Sequence, residues 1–422
     1  MGELNVKIED LLTPEQLKQH KLRMEYNDNN MNGFSMPIKV DKDSEYVNSL
    51  TQNLNRYYDY IQNKPAFNKE PNLVNDIEKT NSKLLKAVQN YYNGNITEAK
   101  RDVKHILKKF RKDDSENFFI SELDKSYAFR GVAPFESLKA EHGEEEHYRK
   151  MNEVPLSFFR ARTGSVSRRE EMLHVPFDKR GLISTQRFSI AGIPCMYFGT
   201  TSYGCWIELD KPANKDFNVA SYKFNESGKG LKILNLVLSE PLINGIFNRG
   251  MDSEDSIRKK LQIKMIKLFP IVIATSFRVL EQGRSFKSEY IISQLIMHCL
   301  KELKIDGVAY LSKKGKDDFQ YPHGVNLAIP VFEKCKNEKF GEVCNNFSLT
   351  NPFNYESFLN LKEKDYGELS YINRIYKEKT SYGHDNFNSK VNFNQDSVFY
   401  GSLSFSDFDN YLVNREHLTQ QI

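Results

Sequence analysis

The sequence predicts an α+β fold, and three observations support this prediction. Five short segments rich in β-branched and aromatic residues are typical of strands, namely 195–200, 217–224, 231–238, 307–312 and 325–332. Two longer segments with apolar faces, 256–269 and 288–303, are typical of helices. These helices interrupt the strands irregularly, and no Gly-rich phosphate loop follows a strand. Both features favour α+β over a doubly wound parallel sheet.

Residues 1–150 are predicted to form a mainly helical N-terminal region with a regulatory or oligomerisation role. The apolar side chains of one segment recur at helical spacing, at Val103, Ile106, Leu107 and Phe110. Asn95 and Glu98 resemble a capping box at the start of this helix. A second helix, over 76–92, is expected to pack against it.

The polar, aromatic-rich C-terminal extension, 336–422, contains too many Phe and Tyr residues for a disordered tail. We expect it to pack on the central domain, 155–335. A chain of 422 residues is long enough for two or three domains.

Composition and charge argue against several classes of protein. The chain has 60 Lys and Arg against 56 Asp and Glu, which is too balanced for a nucleic-acid-binding surface. No apolar run reaches the ~20 residues of a membrane helix, and the N-terminus lacks the pattern of a secretion signal. The five cysteines form no C-x-x-C pair, and the acidic clusters lack a metal-ligand framework. We therefore expect a cytoplasmic protein that contacts no membrane and no nucleic acid and holds no metal.

The segment "RFSIAGIPCMYFGTTSYGCWIELDKP", 187–212, carries the candidate chemistry. Arg187, Tyr197 and Glu208 are spaced by ten and eleven residues around Trp206, the only tryptophan. A structural explanation is that Tyr197 and Glu208 form a hydrogen-bonded pair in the core, with Trp206 as packing. The spacing alone does not choose between this explanation and an active site.

Arginines, a tyrosine and a carboxylate together suit one kind of substrate. Arg160 and Arg162 follow a pair of phenylalanines in "SFFRAR", where an arginine fork often binds a phosphate or a carboxylate. Two arginines suit a pyrophosphate, a tyrosine ring suits stacking on a planar heterocycle, and a carboxylate suits a developing positive charge. These demands coincide in NAD, because cleavage of its nicotinamide–ribose bond passes through an oxocarbenium-like state.

These residues resemble the RES domain, a family named for its Arg, Glu and Ser. The similarity runs from about 155 to 335, through "SFFRAR", "RFSIAGIPCMYFGTTSYGCWIEL", "SEYIISQLIMHCLKELKIDGVAYLS" and "GVNLAIP". The resemblance implies a mixed sheet like that of ADP-ribosyltransferases. It also implies a toxin that destroys cellular NAD and is encoded beside a separate Xre-type antitoxin.

The family's functional residues match positions of this chain one by one. Its two arginines match Arg160 and Arg187 and are expected to hold the phosphates or the nicotinamide ribose. Its tyrosine matches Tyr197, expected to stack on nicotinamide. Its glutamate matches Glu208, expected to bind the ribose hydroxyls and stabilise the cation, and its serine matches Ser312, expected to bind the ribose or Glu208.

Five further positions have less specific expectations. The family's glycine matches Gly192, which is expected to form a turn with Pro194. Asn326 and Tyr310 are candidates for the pocket wall or for structural roles. Glu289 and Gln294 also resemble family positions, but a polar residue opening a helix is often only a cap.

The resemblance predicts an NAD glycohydrolase, or a phosphorylase if phosphate replaces water as the acceptor, with NAD as substrate and no cofactor. Two alternatives stay open, an ADP-ribosyltransferase that modifies a macromolecule and a non-catalytic NAD-binding sensor. The family's compact members lack the long flanks of this chain. The flanks are expected to hold a homo-oligomer together, to restrain the toxin, or to sense a trigger such as phage infection in a defence effector, and the sequence leaves these three open. A cognate antitoxin or regulatory protein is the expected protein partner.

Overall fold

A mixed β-sheet forms the centre of the molecule. The computed structural model describes residues 34–70, 72–130, 155–238, 243–244, 246, 257–281, 283–314, 321–335, 339–364, 390–393 and 396–419. Within these ranges the sheet has ten strands in the order β14-β10-β5-β3-β4-β9-β8-β6-β2, with β11 also paired to β5. The strands are β1 (Ile38–Lys39), β2 (Ile120–Glu122), β3 (Ser157–Thr163), β4 (Cys195–Gly199), β5 (Phe217–Phe224), β6 (Lys232–Leu236), β7 (Phe277–Arg278), β8 (Gly307–Leu311), β9 (Val325–Pro330), β10 (Phe347–Leu349), β11 (Phe353–Asn354), β12 (Lys390–Phe393), β13 (Asp396–Phe399) and β14 (Leu418–Thr419).

Neighbouring strands of this sheet are antiparallel except β6 and β8, which are parallel. The α-helices are α1 (Tyr46–Asn63), α2 (Pro65–Asn68), α3 (Leu73–Tyr92), α4 (Ile96–Lys112), α5 (Tyr127–Arg130), α6 (Ser202–Glu208), α7 (Glu226–Lys229), α8 (Ile257–Thr275), α9 (Ile291–Leu300), α10 (Tyr355–Lys364) and α11 (Ser404–Val413). The predicted α+β class is confirmed. Among the described residues, no helix has the length and apolar character needed to cross a membrane.

The N-terminal helices form where the apolar spacing predicts them. Val103, Ile106, Leu107 and Phe110 are all buried on one face of α4. The predicted capping box is wrong, because the side chain of Asn95 makes no cap hydrogen bond and its backbone (φ −83°, ψ 58°) lies outside the extended region.

The N-terminal helices and the long helices of the central region share one apolar core. This core unites α1, α3 and α4 with α8 and α9 through residues such as Leu84, Val103, Leu268 and Ile296. The two regions are also joined where β1 pairs in parallel with β7. The domain boundaries drawn from the sequence stay a prediction.

The C-terminal residues add strands to the sheet, and helix α11 forms a C-terminal layer that packs on it. Strands β10 and β11 both pair with β5, and β14 pairs with β10. Helix α11 packs on α6 and β5, and its Phe405 and Phe408 join Tyr203 of α6 in a separate apolar cluster. This layer lies directly behind the helix that carries Glu208.

Candidate active site

Strands β3 and β4 diverge and open a cavity between them. They pair at a single position, Phe159 opposite Gly199, whereas β3 pairs with β5 over all its residues. Residues 160–163 of β3 and 197–199 of β4 line the cavity, whose volume is about 670 Å³. Small-molecule and cofactor sites typically measure about 300–1,000 Å³. The divergence of two central strands therefore provides room for a ligand of cofactor size.

Positive charge dominates the cavity wall. Six basic side chains line it, namely Arg160, Arg162, Arg187, Arg278, Lys313 and Lys314. Two carboxylates line it, those of Glu208 and Asp210. An excess of cations in a concave site raises the local concentration of anionic ligands. The cavity is thus suited to a ligand with several negative charges.

Glu208 is held by two neutral donors. It ends α6, which begins where the Thr201 hydroxyl accepts the amide of Gly204 at 2.9 Å. The Oε1 atom of Glu208 accepts hydrogen bonds from Ser312 Oγ at 2.6 Å and from Asn326 Nδ2 at 2.7 Å. Both bonds fix the position of the carboxylate in the cavity wall. The structure therefore brings three of the predicted site residues together.

Tyr197 does not pair with Glu208. Its hydroxyl donates to the backbone oxygen of Phe188 at 2.8 Å. The structural explanation, in which Tyr197 and Glu208 form a hydrogen-bonded pair, is therefore wrong. Burial raises the pKa of the Tyr197 and Tyr310 phenols well above their usual value. Together with Tyr290 they place three neutral aromatic rings in the cavity wall.

The guanidinium of Arg187 donates to three backbone carbonyls. Its Nη1 donates to Thr275 O at 3.1 Å and to Glu289 O at 3.3 Å, and its Nη2 donates to Phe277 O. Its guanidinium lies 4.9 Å from the centre of the Tyr290 ring, and burial lowers its pKa. Arg187 thus joins the end of α8, strand β7 and the start of α9 at the cavity.

Arg160 spans the gap between the diverging strands. Its Nη1 donates to the backbone oxygen of Tyr197 at 3.1 Å. Its Nε is buried and has no hydrogen-bond partner among the described residues. A buried donor without a partner is costly, so an acceptor from a ligand would stabilise it. Beside it, Arg162 donates to Leu173 O at 2.8 Å, and burial lowers its pKa to about 10.

Lys314 is a site residue that the sequence reasoning missed. Its Nζ donates to the backbone oxygen of Glu208 at 2.7 Å and to Asp210 Oδ2 at 2.8 Å. Asp210 and Lys211, which follow α6, have positive φ angles of 60° and 59°. Such angles are uncommon in residues other than glycine and often mark functional sites. The available signal was the position of Lys314 just after the strand that leads to Ser312.

The remaining predicted positions have structural partners. Gly192 has φ +71° in the turn that joins Ile190 to Ile193. Glu289 does not cap a helix, and its buried carboxylate accepts from Arg284 Nη2 at 2.6 Å. Gln294 Nε2 donates to Gln186 O at 3.3 Å. Trp206 packs on the ring of Phe405 and donates to Pro212 O at 2.9 Å.

Within the described ranges, no three His, Cys, Asp or Glu side chains are grouped so as to hold a metal ion. All five cysteines are free and buried. Burial raises the pKa of the Cys205 thiol, in the cavity wall, to about 12. A thiol with so high a pKa is a poor nucleophile at neutral pH.

Comparison with known proteins finds a curated relative of this chain. Over 243 residues, the chain is 32% identical to the Bacillus subtilis (strain 168) protein named "Putative toxin YopC". The match covers 55% of this chain and 53% of YopC, so the chain spans about half the length of this curated relative. No protein-family model matches the chain, and no solved structure matches it.

Proposed function

We propose that this protein is a toxin that cleaves the nicotinamide–ribose bond of NAD. The observation that carries the proposal is the Glu208 carboxylate, held by Ser312 and Asn326 in the wall of a basic cavity. The name of the matched relative supports the toxin role. The resemblance to the RES domain supports NAD as the substrate.

The chemistry needs one well-placed carboxylate. The bond between ribose C1′ and the nicotinamide nitrogen breaks, and its electron pair passes to nicotinamide, which leaves as a neutral molecule. Positive charge develops at C1′, where the Glu208 carboxylate stabilises it. Water then forms the new C1′–O bond and releases a proton, which gives ADP-ribose. Phosphate in place of water would give a phosphorylated product.

The other wall residues suit the rest of the dinucleotide. Arg160 offers its buried Nε to a phosphate or ribose oxygen, and the surrounding cations offset the charge of the pyrophosphate. The neutral Tyr197 ring presents a face for stacking on nicotinamide. Arg187, because it donates to three backbone carbonyls, shapes the wall as well as adding charge.

The proposal is tested by incubating the purified full chain with NAD, with and without phosphate, and separating the products by chromatography. Nicotinamide plus ADP-ribose is the expected result, and a product formed only with phosphate would identify a phosphorylase. Transfer of labelled ADP-ribose to a macromolecule would favour a transferase. NAD that stays intact although it binds would contradict the proposal and favour the sensor.

Glu208→Gln should lower turnover by about 10²–10³-fold, the usual cost of losing one preorganised electrostatic contact. The amide keeps nearly the same shape, so the melting temperature should change little. The matched control is Asp210→Asn, since Asp210 is the other carboxylate of the wall. Full activity in Glu208→Gln, or an equal loss in both variants, would show that Glu208 is not the catalytic carboxylate.

The toxin role is tested separately by inducing the chain in bacterial cells and following growth and the NAD pool. The wild type should stop growth while NAD falls, and Glu208→Gln should do neither at the same protein level. Growth arrest that is equal in both variants would indicate toxicity by another route.

A further inference from the structure

The C-terminal layer contacts the helix of Glu208 through one buried carboxylate. Asp409, on α11, accepts the backbone N–H of Ser202 at 2.9 Å through Oδ1. Its Oδ2 accepts the Tyr400 hydroxyl at 2.6 Å. Asp409 is only 8% exposed, so a replacement that cannot accept these bonds leaves two buried donors unpaired.

Tyr400 also touches a second support of the same helix. Thr201, the residue before α6, donates its hydroxyl to His323 O at 2.8 Å and caps the amide of Gly204. The Tyr400 ring lies 4.1 Å from the His323 ring. The first turn of α6 is therefore held by Thr201 on one side and by Asp409 on the other.

Displacement of this first turn would move Glu208. Helix α6 has seven residues, so Ser202 and Glu208 are separated by about 9 Å of continuous helix. At the far end, Glu208 makes bonds of 2.6 and 2.7 Å with Ser312 and Asn326, which tolerate little displacement. A misplacement of about 1 Å in a catalytic group can cost about 10²-fold in rate.

We propose that Asp409 is a positioning residue, which fixes the start of α6 and thereby sets the place of the Glu208 carboxylate in the cavity. Asp409 is not among the residues that line the cavity, so it acts through α6 and not on the substrate. This inference rests on the proposed role of Glu208. It assigns to the C-terminal layer a part in completing the site.

The test compares three variants of the full chain. Asp409→Ala removes both acceptors, and Asp409→Asn keeps an oxygen for the Ser202 amide. Asp407→Ala is the matched control, because Asp407 is on the same helix but accepts from Lys362 at 2.7 Å. Turnover and KM for NAD are measured, together with the fluorescence of Trp206. Trp206 is the only tryptophan, and because it lies on α6 and packs on Phe405 of α11, its emission reports on how the two helices fit together.

We expect Asp409→Ala to lower kcat at least tenfold with KM changed less than about threefold, and to shift the Trp206 emission. Asp409→Asn should recover most of kcat, and Asp407→Ala should keep both kcat and the emission. Wild-type kcat and emission in Asp409→Ala, or an equal loss in Asp407→Ala, would overturn the proposal. If Asp409→Ala does not fold, Tyr400→Phe, which removes one donor and keeps the ring, should give a smaller change of the same kind, and wild-type behaviour in it would count against the proposal.

The fluorescence separates this proposal from the proposed function. If the wild type leaves NAD intact, the proposed function fails. In that case, an emission shift in Asp409→Ala that Asp409→Asn reverses still supports the positioning of α6. An unchanged emission rejects the positioning whatever the activity.

Discussion

At the scale of single residues, the site depends on donors that share one acceptor atom. Ser312 and Asn326 both donate to Oε1 of Glu208, and no hydrogen bond to Oε2 is made by the described residues. One oxygen thus fixes the carboxylate and the other is available for a ligand. The three side chains involved come from α6, β9 and the end of β8.

Ser312→Ala should lower kcat by roughly tenfold or more, because a hydrogen bond to a charged group contributes about 1.5–3 kcal/mol. The change is measured as steady-state turnover of NAD. Ser293→Ala is the control, since Ser293 is buried and its hydroxyl has no hydrogen-bond partner among the described residues. Equal rates in the two variants would mean that Ser312 does not hold Glu208 during turnover.

Gly192→Ala should reduce stability by about 1–2 kcal/mol, the cost of a left-handed conformation for a residue with a Cβ. Its φ is +71°, and an added Cβ would meet nothing within 4 Å, so the effect comes from the backbone alone. Gly181→Ala is the control, because its surroundings are equally open and its φ is not positive. Urea unfolding measures the stability of both variants, and equal midpoints would show that the positive φ of Gly192 does not disfavour alanine.

At the scale of elements, Arg187 connects three pieces of secondary structure. Its guanidinium binds carbonyls at the end of α8, in β7 and in the turn before α9. Two of these pieces meet the N-terminal region, α8 through the shared core and β7 through β1. The cavity wall and the N-terminal helices are therefore linked through this residue.

Arg187→Lys should destabilise the fold by about 3 kcal/mol or more, because lysine keeps the charge but cannot reach three carbonyls with one ammonium. Arg180→Lys is the control, since Arg180 is exposed and donates to one carbonyl, that of Gly192. Denaturant unfolding measures the free energy of unfolding of both variants. A loss no greater in Arg187→Lys than in Arg180→Lys would refute a structural role for Arg187.

The sequence predicted five of the ten strands of the central sheet, namely β4, β5, β6, β8 and β9, because their β-rich segments are short, apolar and separated by clear turns. It also predicted the buried face of α4, where local periodicity sets burial, and the presence of α3 beside it. It did not predict α1, whose buried residues pack against both α3 and α8. The spacing of apolar residues within one segment does not show which distant helix will pack against it.

The site was predictable only in part for the same reason. Arg160, Tyr197, Glu208, Ser312 and Asn326 were named from motifs that lie within single strands and helices. The roles of Lys314 and Asp409 depend on contacts across 106 and 207 positions of the chain. The carbonyls that Arg187 binds likewise lie 88 to 102 positions away.

At the scale of the whole molecule, one buried acid links pH to stability. Burial raises the pKa of Asp409 from its usual 3.8 to about 7, although its bonds to Ser202 and Tyr400 oppose the shift. Burial also raises the pKa values of the neighbouring Tyr355, Tyr400 and Cys205, so these groups stay neutral over this range. Asp409 alone in this group titrates near neutrality.

The stability that Asp409 contributes through its bound proton is fully present below about pH 3.8 and is lost as pH rises towards about 7. Asn cannot ionise, so Asp409→Asn should lack this dependence. The melting temperature of the wild type should therefore fall relative to that of the variant between pH 4 and pH 7. A constant difference over this range would show that Asp409 does not titrate there.

The contact between Ser202 and Asp409 can form only after the chain between them has been synthesised. Once Ser202 has been made, the ribosome must add 207 residues before the carboxylate that binds its amide exists. At about 5–20 residues per second, this takes about 10–40 s. During that interval the nascent chain already contains Arg160, Arg187 and Glu208 but lacks the last support of α6. The site with both supports of α6 is therefore formed only after residue 409 has been added.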